Sequence, residues 1–97
     1  MTDEGQLMGR RVIRSVVFDG PGHLGTAKAD KYCRTEGWSI GPTDMSGMRA
    51  VIFAPGVRVA KWRNLSPAER DMVDAVVTGH GQGKPKVLHV FTPRQVA

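Results

Sequence analysis

The sequence predicts one small α+β domain with a mostly antiparallel sheet. Its 97 residues are enough for one hydrophobic core but not for a second domain. Short runs of β-branched residues alternate with two stretches that carry helix-capping signals, and 12 Gly and 6 Pro are spread along the chain as many turns require. We therefore predict the order β-α-β-β-β-α-β, with two helices on one face of the sheet. A ferredoxin-like arrangement with one additional strand is the nearest simple topology.

The first half of the chain predicts a strand, a helix and a second, short strand. Residues 12–18 are rich in Val and Ile and run into a Gly-Pro-Gly turn, which favours a strand. Thr26 is a good N-cap for a helix over 27–36, and Gly37 supplies the left-handed residue that ends it. Residues 38–40 follow as a short strand.

A predicted hairpin comes next, with strands 49–54 and 57–62 on either side of Pro55-Gly56. Pro-Gly favours a type II turn, which matches the twist of paired strands less well than the primed turns do. The connection between the two strands is therefore expected to be wider than two residues.

The second helix has the clearest local signal in the chain. Ser66 is an N-cap, Pro67 occupies the first helical position, and Glu69 completes a capping box. Apolar residues then recur at helical spacing until Gly79: Met72, Val73, Val76 and Val77. We predict a helix from Pro67 to this glycine and a last strand over 86–91. Residues 1–9 are expected to form a flexible polar leader, and 92–97 a flexible tail.

Composition limits the class of protein. Apolar runs reach five or six residues, far below the roughly 20 that a membrane-spanning helix needs. The polar, acidic start is unlike a secretory signal, and the single Cys33 cannot form an internal disulfide. The expected location is the cytoplasm, and no membrane partner is expected.

The excess of basic residues predicts binding to nucleic acid. The chain carries 14 Lys+Arg against 9 Asp+Glu, a net charge of +5. Arg58, Lys61 and Arg63 surround Trp62 on the predicted hairpin, where cations could contact phosphates while the indole stacks on a base. Lys28 and Lys31 on the first predicted helix would add electrostatic support. A further basic cluster lies on the first strand: Arg10, Arg11 and Arg14.

The alternative is a protein-interaction, regulatory or inhibitory module. Both faces of the predicted hairpin are largely apolar, which is more apolar surface than one small core needs and is compatible with a protein partner or a homodimer. Short basic chains without disulfides are also of the kind that bacteriophages and mobile elements often encode.

A nucleotide-binding enzyme is the third and weakest hypothesis. Gly20, Gly22 and Gly25 spell the pattern G-x-G-x-x-G between a predicted strand and a predicted helix, and Asp44 follows Gly25 by 19 residues, about where a ribose-binding acid is expected. The chain is too short for a doubly wound sheet, so these glycines are more simply a turn. We expect no cofactor and assign no catalytic residue.

Metal binding is not expected either. The three histidines and Cys33 lack the short separations of structural zinc sites, and Cys33 falls on the buried side of the first predicted helix.

Overall fold

A computed structural model of the chain describes residues 6–20, 22–79 and 85–93. Several predictions concern residues outside this part: most of the leader, Pro21 of the glycine loop, most of the loop after Gly79, and most of the tail. Gln6 and Leu7, assigned above to the leader, pair with Arg11 and Arg10 as a short edge strand.

The described residues form one six-stranded antiparallel sheet with two α-helices, which confirms the predicted α+β class. The strands are β1 (Gln6–Leu7), β2 (Arg10–Phe18), β3 (Ser39–Ile40), β4 (Arg49–Ile52), β5 (Ala75–Thr78) and β6 (Lys86–Phe91). The helices are α1 (Gly22–Glu36) and α2 (Pro67–Asp71), and a 3₁₀ turn spans Trp62–Asn64. The strand order is β1-β2-β6-β5-β4-β3. Three strands thus separate β2 from β3, the two strands that α1 connects, and this order differs from a ferredoxin-like one.

The sheet is covered on both faces. Successive residues of a strand point to opposite faces, so neighbours in sequence belong to different cores. Val51, Val77 and Leu88 pack with α1 residues in a first core, whereas neighbouring strand residues pack with the β4–β5 connection in a second core. The buried residues of this second core are Ala50, Trp62, Val73, Val76 and Phe91.

The sequence analysis expected both helices on one face of the sheet, but the structure places them on opposite faces. α1 contributes Ala29 and Cys33 to the first core. α2 has no buried residue of its own, and the residues on either side of it, Leu65 and Val73, belong to the second core. A sheet with two apolar faces must be covered on both. Among the described residues the one long helix, α1, covers the first face, and the β4–β5 connection covers the second.

The predicted second helix is correct at its start and wrong at its end. Ser66 caps it as predicted, but α2 ends at Asp71 and residues 75–78 form β5. β5 lies between β4 and β6 with Ala75, Val76 and Val77 all buried. A strand buried on both faces has a continuous apolar run, and such a run can mimic helical spacing.

The predicted hairpin is also wrong in its second half. β4 pairs with β3 and β5, so both of its edges are occupied and residues 57–62 form no strand. Gly56 has a φ of +80°, the value that a type II turn requires at this position. After this turn the chain passes over the second core, into which Val59 and Trp62 pack.

Candidate interaction surface

Three exposed cations cluster on the connection between β4 and α2. Residues 57–64, here called the basic segment, contain Arg58, Lys61 and Arg63 and no acidic residue. All three side chains are exposed. Arg58 and Lys61 make no side-chain hydrogen bond or ion pair within the part of the chain that the structure describes. Their charge is therefore available to a ligand.

Asp44 fastens the basic segment to the loop between β3 and β4. Its Oδ2 accepts a hydrogen bond from the backbone N–H of Arg63 at 2.8 Å. Its Oδ1 accepts from the backbone N–H of Ser46 at 2.8 Å and from the Ser46 hydroxyl. The Ser46 hydroxyl and the Arg63 amide hold the pKa of Asp44 below its ordinary value. This carboxylate, proposed above as a ribose-binding acid, is occupied by contacts within the protein.

Trp62 is a core residue. Its side chain is 7% exposed, and it packs in the second core. The guanidinium of Arg70 covers the ring at 5.1 Å from its centroid and donates from Nε and Nη2 to the Trp62 carbonyl at 3.3 and 3.2 Å. The indole is therefore not displayed for base stacking beside Arg58, Lys61 and Arg63.

The two lysines of α1 do not join this cluster. Lys28 and Lys31 are exposed on a helix that packs in the first core, while Trp62 of the basic segment packs on the opposite face of the sheet. Lys28 Nζ also donates to the Asp19 carbonyl at 2.6 Å. The positive charge is thus divided between two sides of the molecule.

The basic cluster of the first strand is used largely for packing. The guanidinium of Arg10 lies 4.1 Å from the Phe91 centroid, and its Nη1 donates to the Val73 carbonyl at 2.7 Å. Arg14 lies over Tyr32 at 5.8 Å from the ring centroid and donates to the Tyr32 hydroxyl. The sequence reveals these charges but not their partners, which lie 18 to 81 residues away.

The backbone of Val57–Ala60 is the feature that sequence analysis missed. These residues follow the turn without regular structure, and none of their N–H or C=O groups makes a hydrogen bond in the described structure. One feature of the sequence indicated this structure: Pro55-Gly56 favours a type II turn, which argues against a tight hairpin. The segment therefore has the composition of a strand but pairs with no strand among the described residues.

A groove lies on each side of this segment. The first, which we call the edge groove, has a volume of about 680 Å³ and is lined by β3, Pro42 and residues 57–60. The second, the apolar groove, has a volume of about 310 Å³. Its apolar lining residues are Ile52, Val57, Val59, Ala60, Leu65, Met72 and Val73. Arg58 lines both grooves.

The glycine loop has structural roles. Gly20 has a φ of +126°, which glycine adopts without strain. A Cβ on the buried Gly25 would lie 3.0 Å from Lys86 Cγ and 3.4 Å from the Phe18 carbonyl oxygen, so α1 packs closely on the sheet there. Gly22 begins α1. These positions are explained by a turn and by close packing.

Two further reactive side chains among the described residues, Cys33 and His89, are explained by packing and hydrogen bonding. Burial raises the pKa of the Cys33 thiol to about 11, which keeps it protonated near neutral pH. His89 lies between Ser15 Oγ at 3.4 Å and Thr78 Oγ1 at 3.0 Å, and burial lowers its pKa. Within residues 6–20, 22–79 and 85–93, no three His, Cys, Asp or Glu side chains are grouped to hold a metal ion.

Comparisons with known proteins found no relative. No family model matches this sequence, and no curated protein or solved structure is significantly similar to it. Among the described helices, none has the length and apolar character to cross a membrane.

Proposed function

We propose that the chain is a protein-interaction module that binds its partner through the basic segment. The observation that carries this proposal is the backbone of Val57–Ala60, which lies between two grooves and makes no hydrogen bond to the other described residues. Unpaired backbone groups beside apolar side chains are what a polypeptide partner can use. Arg58, Lys61 and Arg63 would favour a partner with acidic groups.

Nucleic-acid binding is the second candidate. It is favoured by the same three exposed cations and by the net charge of +5. Two supports for this function are weaker than the sequence suggested, because Trp62 is buried and Lys28 and Lys31 belong to the other face. Any such binding would depend on phosphate contacts and would therefore depend little on base sequence.

Selection from a displayed library of random peptides tests the first candidate. We expect enriched peptides that bind the wild-type protein and lose about tenfold in affinity for the double variant Arg58→Ala/Lys61→Ala. The matched control is Lys31→Ala/Arg34→Ala, which also removes one Lys and one Arg, both exposed on α1. The control should bind as the wild type does. Enrichment of no peptide, or equal losses in both variants, would contradict the proposal.

Oligonucleotide binding at several salt concentrations tests the second candidate. If phosphates are the ligand, the logarithm of the binding constant should fall linearly with the logarithm of salt concentration, by about 0.7 per contacted phosphate of a single strand. Arg58→Ala/Lys61→Ala should then make the slope shallower by roughly 1.4, whereas the α1 control should leave it unchanged. Failure of single- and double-stranded oligonucleotides to bind at low salt would exclude this candidate.

A further inference from the structure

We propose that the partner anchors a large apolar side chain in the apolar groove and places a neighbouring carboxylate on Arg58. The proposal rests on the protein-interaction function and specifies which groups the partner presents. Residues that line this groove supply both parts of the recognition, because its apolar side chains would hold the anchor and its one cation would pair with the carboxylate.

The apolar groove opens onto the second core. Val73 lines the groove and belongs to that core, with 1% of its surface exposed. Ile52, Val59 and Leu65 also line the groove and pack against the same core. The cover of the core is thin here, because the neighbouring α2 has five residues and none of them is buried. A side chain inserted from a partner would therefore extend an existing hydrophobic core.

The groove has room for one or two side chains. Its volume is about 310 Å³. For comparison, an apolar cavity of about 150 Å³ inside a protein holds a benzene molecule. Two large residues of the lining, Val57 and Met72, are 44% and 61% exposed. An anchor that covered them would remove apolar surface from water, and the flexible Met72 side chain can adjust to the shape of that anchor.

Two opposite charges line the groove and orient the partner. Arg58 is exposed and makes no side-chain hydrogen bond or ion pair with the described residues, so it can pair with a carboxylate. Glu69 lines the groove from α2. The N–H and hydroxyl of Ser66 hold the pKa of Glu69 below its ordinary value, so this carboxylate is charged near neutral pH. An acidic residue of the partner is therefore favoured beside Arg58 and disfavoured beside Glu69.

The same lining distinguishes this partner from nucleic acid. A phosphate could pair with Arg58, but it has no apolar group to fill the groove and would be repelled by Glu69. A polypeptide can carry an apolar side chain and a carboxylate on neighbouring residues. The groove therefore favours a polypeptide.

An NMR titration of the whole protein with short peptides tests the anchor. The probes are two capped peptides of Gly and Ser that contain one Leu and one Glu side by side, one peptide for each order. At millimolar concentration we expect at least one of them to shift the methyl signals of Val57, Leu65 and Met72, and Ala in place of the peptide Leu should abolish these shifts. Absence of the shifts with both peptides would overturn the proposal. A single-stranded oligonucleotide that shifts these signals when neither peptide does would assign the groove to nucleic acid and overturn it as well.

A pair of matched variants locates the anchor. Val57→Ser/Met72→Gln should weaken binding of the Leu-Glu peptide by about tenfold, because it makes the exposed part of the lining polar. The control Val17→Ser/Met45→Gln makes the same two changes at residues that do not line the groove and are 56% and 83% exposed. The control should bind as the wild type does. Equal losses in both variants would show that the peptide binds elsewhere.

The charge requirement is tested by changing both partners of the expected ion pair. Arg58→Gln should weaken binding by about fivefold, and Arg34→Gln, at an exposed arginine of α1, should leave it unchanged. In Arg58→Gln, Gln in place of the peptide Glu should cause no further loss, whereas additive losses would overturn the pairing.

The library selection separates this proposal from the protein-interaction function. Selected peptides that depend on Arg58 and Lys61 but bind Val57→Ser/Met72→Gln as tightly as the wild type would overturn the groove as the anchor site and leave the function intact. Enrichment of no peptide would overturn both.

Discussion

Arg10 and Arg70 each cover an aromatic ring of the second core with a guanidinium. Arg10 lies over Phe91 and Arg70 over Trp62, and both donate hydrogen bonds to backbone carbonyls of the β4–β5 connection. An arginine can bury its planar group against a ring while its N–H groups remain paired. For this reason the count of basic residues overstates the charge available to a ligand.

Asp44 makes the attachment of the basic segment sensitive to acid. Hydrogen bonds lower its folded pKa below the ordinary value of 3.8, so its contribution to stability is present above that value and is lost as pH falls through the folded pKa. Asp44→Asn should lower the free energy of unfolding near neutral pH, and this difference should shrink below about pH 4. Urea unfolding at several pH values measures it. A difference that is constant from pH 7 to pH 3 would contradict this assignment.

Gly79, directly after β5, is expected to tolerate no side chain. Its φ is +114°, and a Cβ would lie 2.3 Å from the Pro85 carbonyl oxygen. Gly79→Ala should cost about 2–4 kcal/mol, because the backbone must shift as well as accept a strained conformation. Gly56 is the control: its φ is +80°, but a Cβ there meets nothing within 4 Å. Gly56→Ala should cost about 1 kcal/mol. Chemical denaturation measures both variants. Equal unfolding midpoints for Gly79→Ala and Gly56→Ala would show that the close contact at Gly79 adds no cost.

At the scale of elements, the beginning of α2 was predictable and its end was not. The capping box is local: Ser66 Oγ accepts from the Glu69 N–H at 3.1 Å, and Glu69 Oε1 accepts from the Ser66 N–H at 2.8 Å. β5 depends on distant residues, since Val76 pairs with Ala50 and His89. Tertiary pairing overrides a local apolar pattern, and the pattern of residues 72–77 alone does not reveal it.

The site divides in the same way. The sequence alone identifies Arg58, Lys61 and Arg63 as a basic cluster, and in the structure their side chains are exposed. The burial of Trp62 could not be predicted, because it depends on Val76 and Phe91 of β5 and β6, which complete the second core. The separation of Lys28 and Lys31 from the basic segment depends likewise on which face each element covers.

Substitutions at Met72 and Val76 can distinguish experimentally between the observed structure and the predicted helix. In a helix the two residues would share one face, four positions apart. In the structure Met72 is 61% exposed and Val76 is fully buried. Val76→Ala should therefore reduce the free energy of unfolding by about 2 kcal/mol, while Met72→Ala should change it by less than about 0.5 kcal/mol. Chemical denaturation of both variants measures this. Comparable losses would support the helix that the sequence suggested.

At the scale of the molecule, the two cores share one sheet and should unfold together. Val76 contributes to the second core and its neighbour Val77 to the first, so neither core can lose β5 alone. Trp38 packs against the first core and Trp62 within the second. The fluorescence of Trp38→Phe reports the second core, and that of Trp62→Phe reports the first. Within each variant, the fluorescence midpoint should coincide with the midpoint from circular dichroism.

Different midpoints from the two methods within one variant would show that the cores unfold independently. Comparison within a variant is needed because Trp62→Phe alters a buried side chain and should itself lower the midpoint. Coincidence in both variants would establish the sheet as a single cooperative unit.

The pairing of β2 with β6 also affects how the protein is made. Ser15 lies opposite His89, 74 residues later in the chain. Contacts over such a separation close a long loop and slow folding. During translation, β2 must wait for β6 to leave the ribosome, and Val17, still 56% exposed in the finished sheet, has no strand to pair with until then. Val17 is therefore most exposed to aggregation in the nascent chain just before β6 emerges, when a chaperone that shields extended apolar segments would matter most.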